Sequence, residues 1–548
     1  MTLLRYLTGF LAVTALLRAG TPSTHAADLQ PAEKPIPTVI DHYVDALLKT
    51  DSIEPAPQAD DFTLIRRLTL DLVGRIPTVV EVENFVKSTD PEKRVKLVDR
   101  LIASPGYVRF QAHQYDVMLN STVAGDDRRR GSVRDYLQTA LKDSKSWDRI
   151  FRELMLPDAK DPVQKSAAEF LRSRVIDADR LTNDVSVAFF GVNVSCAQCH
   201  DHPLVEDWKQ DHFYGMKSFL ARSYDANGFL AERSAGLIKF KPTRGPERQG
   251  KLMFLTGAEV KTDTLRDLTK DEQKAEKEAT EQAKSKKAAP PEPAFSARAK
   301  LVEVALQPKE SQFFARSIVN RLWHRFFGYG LVMPLDQMHS ENPASHPELM
   351  DWLARDVRTH QYDLTRLIRG IVLSKAYSRA STYPSESHPA AMYFAVAKLK
   401  PLTPIQLGTA MKMAHRDPGA FAEDKPAEFE RILDAMAAGG NGIASQLEQP
   451  TDDFQVGVGE ALLFSNGDRV EREFLTDGGG SLLARMKTEK NESAAVDLMI
   501  RATLGRPAKD SEKKALTEYL AKRADRTPQA YRQILWALMT SPEFRFNH

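Results

Sequence analysis

A chain of 548 residues is too long for one hydrophobic core and is expected to fold as two or three domains. Hydrophobic residues make up 42% and charged residues 27%, as in soluble globular proteins, and a formal charge of +2 from 76 basic and 74 acidic residues lacks the electrostatic footprint of a nucleic-acid binder. Two cysteines in the whole chain exclude a disulfide scaffold, so burial must hold the cores together.

The opening residues read as a secretory signal. Residues 1–5 give a short positive start and 6–17 an apolar stretch, and Thr24 and Ala26 are small residues placed for cleavage after Ala26. An uncleaved anchor is the competing reading; no later apolar run approaches the length of a membrane helix. The expectation is export to a periplasm or the cell surface, with a signal peptide over 1–26 and no membrane span after its cleavage.

A Pro-rich disordered leader is expected over 27–37, and helical patterns take over from 38. DDFTLIRRLTLDLVGRIP puts Leu64, Ile65, Leu68 and Leu72 on one face and stops at Gly74 and Pro77. Thr78 and Glu81 are spaced as a capping box, and Asp90 before Pro91 marks another helix start with proline at the first helical position. Residues 185–194 are the best apolar run for a strand, though their length suits a buried helix equally well. AGLIKFKPTRGPERQGKLMFLTG alternates apolar and polar residues between Gly and Pro breaks, the pattern of a small β-hairpin. From 258 to 297 the composition turns to Lys, Glu and Ala and ends in prolines. Asp267/Lys270, Asp271/Lys274 and Glu281/Lys284 are spaced to pair along a solvated helix with no apolar stripe, which reads as a linker. Further on, Ser345 and Glu348 are spaced as a second capping box, ahead of Leu349, Trp352, Leu353 and Val357 at helical spacing. Thr527 and Pro528 open the last amphipathic helix. The expected architecture is mainly α: two helical domains, 38–257 and 298–548, joined by the charged linker 258–297, with a small β-hairpin ahead of it.

Both cysteines fall in VNVSCAQCHDHP, two residues apart and followed by His200. Haem c attachment requires two thiols on one turn to add across the two vinyl groups, and a histidine directly behind to ligate the iron. Cys196, Cys199 and His200 meet that requirement. Phe189, Phe190, Val192, Phe213, Tyr214, Phe219 and Leu220 lie close in sequence and offer either a greasy haem pocket or ordinary core. His202 is too near His200 to reach the opposite haem face, whereas His212 and Met216 could fold back as a sixth ligand. The same thiolates with His200, His202 or His212 could instead bind zinc, iron or copper, with Asp201 and Asp207 orienting the imidazoles. A local disulfide or dithiol pair, with no cofactor, is the third reading. Glu206, Asp207 and Asp211 beside the histidines also leave room for a metal-dependent hydrolase, without a supporting Gly-x-Ser-x-Gly or His-Glu-x-x-His pattern. The reading placed first is a haem-c-type redox or electron-transfer protein with a redox partner protein. The alternative is a non-haem cell-surface binding or structural protein.

Two longer stretches carry a family resemblance. ADDFTLIRRLTLDLVGRIPT, KRVKLVDRLIASPGY and CAQCHDHPLVEDWKQDHFYGMKSFLAR resemble, over about 59–222, the first of two paired domain-of-unknown-function families of exported planctomycete proteins. VNRLWHRFFGYGLV, SHPELMDWLARDV and LMTSPEFRFNH resemble its usual C-terminal partner over about 312–548. The resemblance implies export and two helical domains, and relatives often carry an extra N-terminal cytochrome-c-like domain with its own Cys-x-x-Cys-His. It implies nothing about the chemistry of the inner motif here. In the second stretch His324, His339, His346, Arg316, Asn320 and Arg321 read first as packing or helix-end residues, and second as the lining of a polar pocket.

Overall fold

The fold is given by a computed structural model that describes residues 29–120, 132–202, 205–243, 245–422, 424–450 and 458–548. The expected signal peptide lies outside them. Helices dominate, beginning with α1 (Ile36–Thr50), α2 (Asp61–Val73), α3 (Val79–Lys87), α4 (Lys93–Ile102), α5 (Pro105–Asn120), α6 (Arg134–Lys142) and α7 (Trp147–Met155). Two single turns, α8 (Gln164–Ala167) and α9 (Glu169–Arg172), lead to α10 (Ala178–Phe190) and α11 (Gln210–Leu220). Six short strands then form three antiparallel two-stranded hairpins: β1 (Ser223–Ala226) with β2 (Phe229–Glu232), β3 (Lys239–Phe240) with β4 (Arg248–Gln249), and β5 (Leu252–Met253) with β6 (Glu259–Val260). Next come α12 (Lys270–Lys286), α13 (Ala297–Ala305), α14 (Gln312–Phe327), α15 (Pro347–Thr359), α16 (Leu364–Val372) and strand β7 (Lys400–Pro401). The last part holds α17 (Pro404–His415), α18 (Pro426–Ala444), α19 (Val458–Asn466), α20 (Asp468–Phe474), α21 (Leu482–Met486), α22 (Glu492–Leu504), α23 (Asp510–Ala521), α24 (Thr527–Thr540), α25 (Pro542–Arg545) and strand β8 (Phe546–Asn547), which pairs back with β7. No described helix is long and apolar enough to cross a membrane.

Local sequence signals set many of these ends. α2 begins at Asp60, whose carboxylate accepts the Thr63 N–H, and ends at Gly74, where a φ of 71° suits a residue without Cβ. Thr78 and Glu81 form the expected capping box on α3. Two expected starts shift. Asp90 accepts the Glu92 N–H in a turn ahead of α4, which begins only at Lys93. Ser345 donates no cap to α15: Pro347 takes the first helical position, His346 becomes the N-cap, and the Ser345 hydroxyl turns to the His346 ring. The apolar run at 185–194 is helical through Phe190, with Val192 making an isolated bridge to Gln337.

The buried core does not divide at the charged segment. One continuous cluster runs from Ile36 to Ala395, joining Trp147 of α7, Phe189 of α10 and Phe314 of α14. Phe151 lies 4.6 Å from Phe189 and 4.9 Å from Phe314, ring centre to ring centre. The second cluster gathers residues 402–544 with Leu70 and Ile76. α2 serves both: Leu64, Ile65, Leu68 and Leu72 face the first and Leu70 the second, which buries the helix on all sides, Arg66 and Arg67 included. α12 lies alongside rather than between the cores. Its one buried residue, Ala283, packs with Ala226 and Ala231 of β1 and β2, while Arg233–Glu276 (2.9 Å) and Arg266–Glu272 (2.8 Å) tie it to the preceding chain. Residues 29–35 lie against α15, where Trp352 Nε1 donates to the carbonyls of Gln30 (2.8 Å) and Pro31 (3.2 Å).

α17 and α18 meet backbone to backbone. A Cβ on Gly408 would lie 2.4 Å from the Gly440 carbonyl oxygen, and one on Gly440 2.6 Å from the Thr409 nitrogen. Gly408→Val is therefore expected to cost about 1–3 kcal/mol through overpacking. The shift in urea midpoint measures it, and an unchanged midpoint would mean that the two helices re-space freely.

Candidate functional site

The turn bearing the two cysteines is fixed by its own flank and by the distant segment 336–338. α10 stops at Gly191, whose φ is 67° and whose Cβ position would fall 3.0 Å from Met338 Sδ. The Gly191 carbonyl accepts the Met338 N–H (3.1 Å), and the Asn193 N–H donates to the Asp336 carbonyl (2.7 Å). The Asn193 amide also donates to the Asp336 carboxylate (3.0 Å) while its oxygen accepts the Ser195 N–H (3.1 Å) and hydroxyl (2.6 Å). That last pair forms an Asx turn leading into a single 3₁₀ turn, Ser195–Gln198.

On this turn Ala197 points into the core, while Cys196 and Cys199 are exposed and unbonded. The carbonyls behind them are held: Gln198 O accepts from Tyr214 Oη (3.1 Å) and Gln210 Nε2 (3.3 Å), and Cys199 O from Thr243 Oγ1 (3.2 Å). His200 Nδ1 lies 2.7 Å from the Asp201 carbonyl oxygen. A carbonyl can only accept, so Nδ1 carries the proton and Nε2 keeps its lone pair, the tautomer that an Nε2-ligating histidine requires. The group that orients His200 is thus the Asp201 main chain; the Asp201 carboxylate instead accepts the Gln210 N–H (2.9 Å) at the start of α11.

The remaining candidates separate. His212 Nδ1 accepts the Lys209 N–H (3.1 Å), so its lone pair is used at the N-terminus of α11, and burial pushes its imidazole pKa down. Met216 is fully buried in the main core. Asp207 accepts the Ser340 N–H (2.7 Å) and hydroxyl (2.9 Å), a second tie to the 336–340 segment. His202 lies within electrostatic reach of His339, and its N–H donates to the Trp208 carbonyl (2.8 Å). Phe189, Phe190, Val192, Phe213, Phe219 and Leu220 are each no more than 1% exposed, so the aromatic residues flanking the motif fill the core rather than line a pocket. Only Tyr214 stays partly open, stacked on Phe240 at 4.0 Å. Among the described residues, no three His, Cys, Asp or Glu side chains converge as a metal site.

Beside the turn lies a pocket of about 300 Å³ lined by Asp207, Phe313, Arg316, Met338, His339 and Ser340. His339 Nδ1 has no hydrogen-bond partner there. The sequence marks His339 only as a polar residue in a long motif, and nothing local says that it folds back on a turn some 140 positions earlier. Asn320 and Arg321 are structural: Asn320 bonds both backbone groups of Val332 (2.8 and 2.9 Å), and Arg321 donates to the Val187 carbonyl, with burial lowering its guanidinium pKa to about 10.

Residues 39–225 match the family model PSCyt2, described as a protein of unknown function (DUF1549), and residues 297–420 match PSD1, a protein of unknown function (DUF1553). The chain pairs these two families. No curated protein and no solved structure gives a significant match. The second match ends at residue 420, so most of the second core lies beyond it. The cysteine turn belongs to the DUF1549 part, whereas Asp336, Met338, His339 and Ser340, which clamp it and line its pocket, belong to the DUF1553 part. The site is built by both families together.

Proposed function

We propose that this is an exported haem-c-type redox protein of the periplasm or cell surface, with Cys196 and Cys199 as thioether anchors and His200 as the proximal ligand. The observation that carries this reading is one fixed 3₁₀ turn presenting two exposed, unbonded thiols ahead of a histidine whose Nδ1 proton is committed to a carbonyl. Each thiol adds S–H across one vinyl C=C, sulfur to one carbon and hydrogen to the other, so attachment needs no oxidant. Haem bound there supplies a one-electron couple. The chain's own contribution is to hold the turn rigid through Asn193, Gln210 and Tyr214, and to direct the Nε2 lone pair of His200 through the Asp201 carbonyl. With both cysteines at the surface, the attached group lies within reach of a redox partner protein.

The test is intact mass and visible spectrum of protein made in a host with the haem c maturation machinery. The expected result is a mass gain of one haem with a Soret band, both lost in Cys196→Ala/Cys199→Ala. An unmodified mass overturns the reading. A loss of two protons would then establish the disulfide, and co-purifying zinc, iron or copper the metal site. Chelator-sensitive hydrolysis abolished by His202→Ala would establish the hydrolase.

A further inference from the structure

A second cleft lies between α5 and the α17–α18 hairpin, with a volume of about 470 Å³. It continues into a chamber of about 150 Å³ that shares Arg109, Thr409 and Ala437 with its wall. The size falls in the range of small-ligand sites. None of these walls includes a residue of the cysteine turn or of the pocket beside it.

Its polar groups are almost all paired with one another. Arg75 and Glu81 form a bidentate pair at 2.6 and 2.7 Å, Arg100 lies 3.6 Å from Glu81, and Arg109 pairs with Asp434. Two groups are exceptions, His113 in the chamber, whose Nε2 has no hydrogen-bond partner, and Glu430 in the cleft. Glu430 makes no hydrogen bond or ion pair among the described residues, and its Oε2 is shut away from water without a partner. A buried oxygen left in this state is costly, and turning the carboxyl outward onto a donor in the cleft removes the cost. Burial pushes the Glu430 carboxyl up; Arg75 and Arg109 oppose the effect, and Asp434 and Glu81 add to it.

The surrounding charges limit what that ligand can be. A cation would face Arg75, Arg100 and Arg109, and an anion would face Glu81, Glu430 and Asp434. A hydroxyl both donates and accepts, so one hydroxyl can donate to a Glu430 carboxyl turned into the cleft while its neighbour accepts from Arg100, whose side chain is half exposed. Val73, Leu101, Phe429 and Leu433 give the cleft an apolar wall for the C–H face of a ring. We propose that this cleft binds an uncharged, hydroxyl-rich ligand of mono- or disaccharide size, with Glu430 and Arg100 as its polar contacts.

The test is isothermal titration of the full chain with glucose, galactose, mannose, cellobiose and maltose, alongside choline and glucose 6-phosphate as charged probes. At least one neutral sugar is expected to bind saturably. Glu430→Ala should weaken it about tenfold or more, and Arg100→Ala should also weaken it. Cys196→Ala/Cys199→Ala should bind as wild type, which keeps this test separate from the haem reading. Absence of binding by all five sugars overturns the proposal. So does binding unaffected by both cleft variants, or a preference for either charged probe.

Discussion

Asp71→Ala is expected to destabilise the fold by about 3–5 kcal/mol, the cost of stripping one partner from a buried ion pair. Asp71 is 7% exposed and accepts from four donor contacts: Tyr377 Oη (2.9 Å), Lys400 Nζ (2.9 and 3.0 Å) and Asn547 Nδ2 (2.8 Å). Lys400 also donates to the carbonyls of Arg325 (3.1 Å) and Phe326 (2.9 Å). Burial pushes its ammonium pKa down, and the Asp71 carboxylate opposes that. Removing the carboxylate leaves an uncompensated ammonium and two donors without an acceptor. Asp71 lies in the DUF1549 match, Tyr377 and Lys400 in the DUF1553 match, and Asn547 beyond both. Chemical denaturation measures the effect, and a loss under about 1 kcal/mol would mean that water replaces the carboxylate easily. Adding Lys400→Met to Asp71→Asn should recover part of the loss by removing the stranded charge.

Acidification from pH 6.5 towards 4 should weaken the fold through two histidines that burial keeps neutral. Burial pushes His346 down to about 4; burial, with Arg134 and Arg325 adding to it, pushes His113 down to about 4. Neither Nε2 has a hydrogen-bond partner. In this window the unfolded chain takes up a proton that the folded chain refuses. The stabilisation is therefore complete above the ordinary value, falls as pH drops, and levels off below the folded value. Each histidine accounts for about 3 kcal/mol at that limit. His212, His339, His415 and His548 are shifted in the same direction by burial, while Asp41, Asp116 and Glu430, whose carboxyls burial pushes up, act in the opposite sense. The readout is a difference: His346→Gln should flatten the stability–pH curve relative to wild type in urea melts. Parallel curves for the two proteins would refute the assignment.

The cysteine motif shows how far adjacency carries. Two thiols on one turn, a histidine behind them and the carbonyl that sets its tautomer lie within six consecutive residues, so the sequence contains them complete. The same locality made the Thr78 and Glu81 capping box and the Gly74 stop of α2 legible. It failed at Ser345 because Pro347 competes for the helix start, and at Asp90 because the turn closes before the helix begins. The aromatic residues beside the motif could have been pocket or core on sequence grounds. Their ring partners on α7 decided for core: Phe189 meets Trp147 and Phe151, and Phe190 meets Phe151.

By itself, then, the sequence determined the helical class, a few helix ends, the paired families and the candidate cofactor turn. Each rests on periodicity or on atoms a few residues apart. Only the tertiary structure placed Asp336 and Ser340 as the clamp on that turn, Asp71 beneath Lys400 and Asn547, and Glu430 unpartnered in a cleft. It also carried the main core straight past the charged segment, where composition suggested a border. Burial and pairing of this kind depend on which faces meet across hundreds of residues, and no local pattern encodes that meeting.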